Sequence, residues 1–135
     1  MAGEPKPLRC QIWNVQLDPV RGSEIGGHFE GDTRPVIVVS LKGKGRPSMR
    51  VCVPLTEFQD AHAFLRWCVL FSPDERNGLS KISTADTSQI RALDQVRFVQ
   101  KRGRITEAEL SPIFAALGAC LGFDSQGGDG TGDES

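Results

Sequence analysis

The chain has 135 residues, 39% hydrophobic and 24% charged, which suits one soluble domain around a single core. No apolar run reaches the length of a membrane span, and the opening MAGEPKPLR lacks the apolar centre of a signal peptide, so a cytoplasmic protein with no membrane association is expected. A net charge of −1 argues at first sight against a nucleic-acid enzyme, but the last twelve residues hold four acids and no base, leaving sixteen basic against thirteen acidic residues in 1–123.

Residues 11–17 read as the first strand: Ile12, Val15 and Leu17 alternate imperfectly with polar neighbours, and Asp18-Pro19 supplies turn chemistry. Arg21, Gly22, Ser23, Glu24, Gly26 and Gly27 follow as a charged, glycine-rich loop, the usual carrier of binding or catalytic side chains beside rigid strands. The loop closes at Arg34-Pro35, where proline sets Arg34 as extended backbone. VIVV at 36–39 is continuous and β-branched, as in a strand buried on both faces. Residues 50–55 give a third strand and 63–71 a fourth. The apolar FLRWCVLF of the latter leaves two readings open, burial under a helix or contact with a second subunit. SPDERNG is a loop, 82–93 holds a fifth strand around QIRAL, and 96–105 holds a short strand with a tight turn at Lys101, Arg102 and Gly103.

The chain then reads as a helix. Thr106 and Glu109 make a capping box, and Leu110, Ile113, Phe114, Leu117 and Leu121 recur at helical spacing. Pro112 requires either a kink or a start at Ser111 with proline as the first residue. Short strands and one amphipathic helix predict a mainly β fold, a small barrel or curled sheet with the helix packed on it. The expected domain is 8–123, followed by a disordered acidic tail at 124–135.

Lys42, Lys44, Arg46 and Arg50 form one basic cluster, and Arg97, Lys101, Arg102 and Arg104 another; each fits a phosphate-attracting face or a solvated hairpin. Cys10, Cys52, Cys68 and Cys120 lack zinc spacing and read as reduced, buried thiols. His28 and His62 read as exposed loop residues, with His28 retained as a candidate because it lies between Glu24 and Arg34.

IWNVQLDP, RGSE, TRPVIVVS, VCVPLT, QIRALD and GRITEAEL occur in that order along most of the chain. This series resembles the MazF/PemK toxins of bacterial toxin–antitoxin systems. The resemblance implies an SH3-like barrel with a C-terminal helix, a homodimer, single-stranded RNA as substrate and a cognate antitoxin protein as partner. It also implies a metal-independent endoribonuclease without cofactor, in which the ribose 2′-hydroxyl attacks the adjacent phosphate and leaves a cyclic phosphate and a 5′-hydroxyl. In the matching motifs, Arg34 and Thr56 would act on the phosphate, and Glu24 would be the base. Arg21, Ser23, His28, Lys42, Lys44 and Arg91 would bind substrate. Structural alternatives stand beside these roles: Arg34 pinning the loop, Thr56 ending a strand, Glu24 holding Arg21 or Arg34. The chain also departs from members with histidine before the loop glutamate and an Arg-x-Asp pair before the QIR segment. It has Ser23, and Asp86 and Ser88, at those places, so that subgroup's acid/base set does not transfer. The alternative function is a non-catalytic or degenerate toxin-fold protein acting by protein binding. A general SH3-like peptide binder would want an aromatic groove, and the chain has no Tyr and two Trp.

Overall fold

β-branched and apolar runs set the strands, and the computed structural model describes them over residues 5–26, 33–41 and 47–123. In chain order they are β1 (Gln11–Val15), β2 (Arg34–Val38), β3 (Met49–Glu57), β4 (Cys68–Phe71), β5 (Ser83–Asp86), β6 (Arg91–Asp94) and β7 (Phe98–Arg104), followed by the helix α1 (Glu107–Cys120). They form an antiparallel sheet in the order β4-β5-β3-β2-β1-β7, with β6 also paired to β3. This is a mainly β, SH3-like fold with one C-terminal helix.

All five residues of β2 are buried, as the continuous apolar run requires. Alternate residues feed two cores. Ile12, Ile37, Val53, Leu55 and Ala85 pack on one face under Leu110 and Ile113 of α1, whereas Val15, Val36, Val38, Cys52, Leu93 and Phe98 fill the other. Trp13 meets Phe98 edge-on there, with ring centroids 5.8 Å apart.

Several expectations need correction. The fourth strand does not span 63–71: Asp60–Phe64 is a 3₁₀ turn, the strand begins at Cys68, and Phe64 is 85% exposed. The fifth strand region is two strands, β5 and β6, split by the 3₁₀ turn Thr87–Gln89. β7 runs through Lys101, Arg102 and Gly103 without a turn. Gly103 is needed for close approach instead, since a Cβ there would lie 2.3 Å from the Arg76 carbonyl oxygen of the loop packed on it. The helix starts after the Thr106 cap and not at Ser111, so Pro112 is inside it. Reciprocal bonds between Thr106 and Glu109 secure that start, with the Glu109 carboxylate accepting the Thr106 N–H at 2.8 Å. Its buried face is Leu110, Ile113 and Ala116, while Phe114 and Leu121 are exposed.

The expected tail at 124–135 lies outside the described residues. No helix among the described residues is long and apolar enough to cross a membrane.

Candidate active site

Arg34 is the first residue of β2 and only 9% exposed, so its charge needs neighbours that replace water. Its Nε donates to the Gly26 carbonyl and its Nη1 to the Leu55 carbonyl, the latter at 3.0 Å. Burial lowers the guanidinium pKa from its usual value, and the nearby Asp18 carboxylate opposes that shift. β2 and β3 pair Val36 with Pro54; carried two residues further, this register sets Arg34 across from Thr56. Thr56, half-buried, follows the carbonyl that Arg34 grips. Cross-strand partners point to the same face, so guanidinium and hydroxyl share one side of the sheet.

The loop 21–26 is fixed from a second direction. The β3–β5 register pairs Leu55 with Ala85, and the β3–β6 register pairs Cys52 with Arg91, so three residues between these ladders have no place opposite β3. They form the turn Thr87–Gln89, an irregularity that re-aims a side chain as bulges do. Asp86 accepts from Ser88 N–H at 3.0 Å and Ser88 Oγ at 2.6 Å, which secures the turn. Gln89 then reaches the loop with both ends of its amide. Its Oε1 accepts from Ile25 N–H at 3.2 Å, and its Nε2 donates to the Ser23 carbonyl at 3.3 Å.

The structure brings Arg34 and Thr56 together and disperses other candidates. Glu24 is exposed, and its carboxylate accepts the Arg21 N–H at 2.8 Å, closing its own turn. Arg21 and Ser23 are exposed on the same loop. Arg91 is half-buried on β6 opposite Cys52, on the Thr56 side of the sheet and further along β3. His28, Lys42, Lys44 and Arg46 lie outside the described residues. Arg50 is no surface cation: it is 1% exposed and donates to the carbonyls of Pro7 at 2.7 Å, Pro47 at 2.5 Å and Met49 at 3.0 Å. His62 is not an exposed loop residue; it is half-buried, with Nδ1 2.8 Å from the Thr84 hydroxyl. Gln89, which organises the loop, was not among the sequence candidates. Only the presence of Gln89 inside QIRALD pointed that way.

The four thiols are free, with Cys10 and Cys52 buried and Cys68 and Cys120 half-buried. Burial pushes Cys52 up to about 12 and Cys68 up to about 11, where the Asp86 charge adds to the effect. Among the described residues no group of three or more His, Cys, Asp or Glu side chains could hold a metal ion.

The model of the PemK-like, MazF-like toxins of type II toxin–antitoxin systems matches residues 8–121. The chain belongs to that family. Endoribonuclease MazF9 of Mycobacterium tuberculosis is 32% identical over 115 residues, covering 81% of this chain and 91% of that protein. The endoribonuclease toxin MazF of Escherichia coli K12 is 31% identical over 112 residues, covering 82% and 89%. Among solved structures, MazF of Deinococcus radiodurans superposes with a TM-score of 0.69 at 21% identity, covering 88% of this chain and 99% of that one. A mycobacterial endoribonuclease in complex with its cognate antitoxin gives 0.62 at 22%, covering 86% and 95%. These likenesses show the MazF fold. Within it, the residues matching the family's motifs are placed unevenly: the arginine before proline bonds the Leu55 carbonyl, next in the chain to the threonine of VPLT, while the glutamate of RGSE bonds within its own loop.

Proposed function

We propose that this chain is the toxin of a type II toxin–antitoxin pair and cleaves single-stranded RNA. The observation that carries the reading is Arg34, buried at the start of β2, gripping the Leu55 carbonyl across from Thr56. A cation held this way is preorganised, so it costs little rearrangement when charge develops on a phosphate nearby. The ribose 2′-hydroxyl attacks the adjacent phosphorus, the bond to the 5′-oxygen breaks, that oxygen takes a proton from solvent water, and a cyclic phosphate and a 5′-hydroxyl result. Arg34 offsets the extra negative charge of the phosphorane, and the Thr56 hydroxyl donates to one of its oxygens. Glu24 is the candidate base for the 2′-hydroxyl proton, a role that requires its carboxylate to leave the Arg21 amide. Charge stabilisation by the guanidinium leaves no step that requires a divalent ion. The working form is a cytoplasmic homodimer, held inactive by an antitoxin protein; the endoribonuclease relatives and the mycobacterial antitoxin complex support the RNA-cleaving activity and the antitoxin partner.

The test is an RNA whose cleavage site has been mapped, prepared with and without a 2′-deoxy nucleotide before the scissile bond. The all-ribose strand should be cut in excess chelator to cyclic-phosphate and 5′-hydroxyl ends, while the deoxy strand should bind and stay whole. Normal cleavage of the deoxy strand would mean that water is the nucleophile and would overturn the mechanism.

A further inference from the structure

β5 pairs with β3 so that Thr84 stands opposite Thr56, and β4 places Leu70 opposite Thr84. With Val15 paired to Arg34, and the Val36–Pro54 register carried two residues on to Arg34 and Thr56, a transverse row crosses the sheet: Val15, Arg34, Thr56, Thr84, Leu70. It begins in the core and ends at a side chain that is 55% exposed. His62 caps the row. Its Nδ1 lies 2.8 Å from the buried Thr84 hydroxyl and accepts from the Gln59 N–H at 3.0 Å. A backbone amide can only donate, so the lone pair is on Nδ1 and the neutral ring carries its proton on Nε2. Phe58 holds the ring from the side, with centroids 5.9 Å apart. The Nε2–H, across the ring from these contacts, has no protein partner among the described residues.

We propose that His62 is an RNA-binding residue, whose Nε2–H donates to a phosphate oxygen of the nucleotide next to the scissile one. Neighbouring strands are about 4.8 Å apart, so Thr84 lies one such step beyond Thr56, away from Arg34, with His62 beside it. A strand of RNA with its scissile phosphate at Arg34 and Thr56 and its next backbone unit toward Leu70 passes this donor. Nδ1 is taken up by the Gln59 N–H, which leaves Nε2–H as the side of the ring that faces a ligand. The inference rests on the proposed RNA cleavage at Arg34 and Thr56.

The probe is a single-stranded RNA carrying the mapped site, blocked by a 2′-deoxy nucleotide, with a methylphosphonate at either flanking phosphate in turn. His62→Asn keeps an acceptor oxygen in place of Nδ1 and deletes the distal donor; His62→Gln does the reverse. His62→Asn should fold with an unchanged melting temperature and bind the probe roughly tenfold or more weakly, the loss expected for one hydrogen bond to a charged acceptor. One methylphosphonate should weaken the wild type and leave His62→Asn unaffected. His62→Gln should bind better than His62→Asn even where it is less stable, an order that a purely structural histidine would invert. Wild-type affinity in His62→Asn, or no methylphosphonate effect at either flank, overturns the inference while the cleavage reading stands. Full cleavage by Arg34→Ala, measured alongside, would instead remove the reading on which it rests.

Discussion

Arg34 holds two carbonyls in the fold and is the proposed phosphate-binding group of the site, and its variants should separate the two. Arg34→Ala removes a charge-assisted donor and leaves the Gly26 and Leu55 carbonyls without it. We expect about a hundredfold or greater loss of cleavage, as for a missing oxyanion donor, and about 1–3 kcal/mol of lost stability from unsatisfied buried groups, measured by chemical denaturation. Thr56→Ala is the cleaner probe: the half-buried hydroxyl should cost a similar factor in rate with little change in stability. Arg34→Lys should recover little, because an ammonium cannot hold two carbonyls in the planar fork. Cys52 offers a test of another kind. Its pKa is raised from 9.0 to about 12 by burial, so the unfolded state loses its proton first. Its contribution is intact below pH 9.0 and is lost as pH rises toward about 12. Cys52→Ala should therefore flatten the alkaline decline of stability relative to wild type; parallel pH curves would show that another group dominates.

At the scale of elements, β1, β2, β3 and the capped helix were legible because each announces itself locally, by β-branched runs, a proline boundary or a capping box. What was hidden depends on partners distant in sequence. Gly103 reads as a turn until the loop at Arg76 and Asn77 is packed on it, and Arg50 reads as surface charge until Pro7, Pro47 and Met49 turn their carbonyls to it. Motif order singles out Arg34 and Thr56 as candidates, yet their opposition follows from carrying the β2–β3 register two residues on, which neither motif contains. The turn Thr87–Gln89 is the extreme case, since only the two strand registers reveal that three residues are extruded. It yields a prediction: Gln89→Ala should leave the melting temperature nearly unchanged, speed amide exchange at Ile25, and lower cleavage by misplacing the loop that holds the Gly26 carbonyl against Arg34. Gln89→Glu keeps the acceptor but not the donor to Ser23, so it should fall between. Unchanged exchange at Ile25 in Gln89→Ala would show that the loop is held by other contacts.

Across the whole molecule, the balance of charge should bear on how the proposed RNA substrate arrives. The family match ends at residue 121 and α1 at Cys120, so the four acids of 124–135 fall beyond both. They turn a surplus of three basic residues in 1–123 into a net charge of −1. Long-range attraction of a polyanion follows net charge and is cut off by salt, with a screening length of about 10 Å at 0.1 M. A chain ending at residue 123 should unfold at the same temperature as the full chain and still cut RNA. At low salt it should associate with single-stranded RNA faster, and the advantage should shrink as salt is raised, because the added attraction is screened whereas Arg34 and Thr56 are untouched. Stopped-flow association at two ionic strengths separates the cases. Equal rates at low salt would mean that the acids lie too far from the RNA path to matter, and a large fall in melting temperature would mean that residues 124–135 pack on the domain.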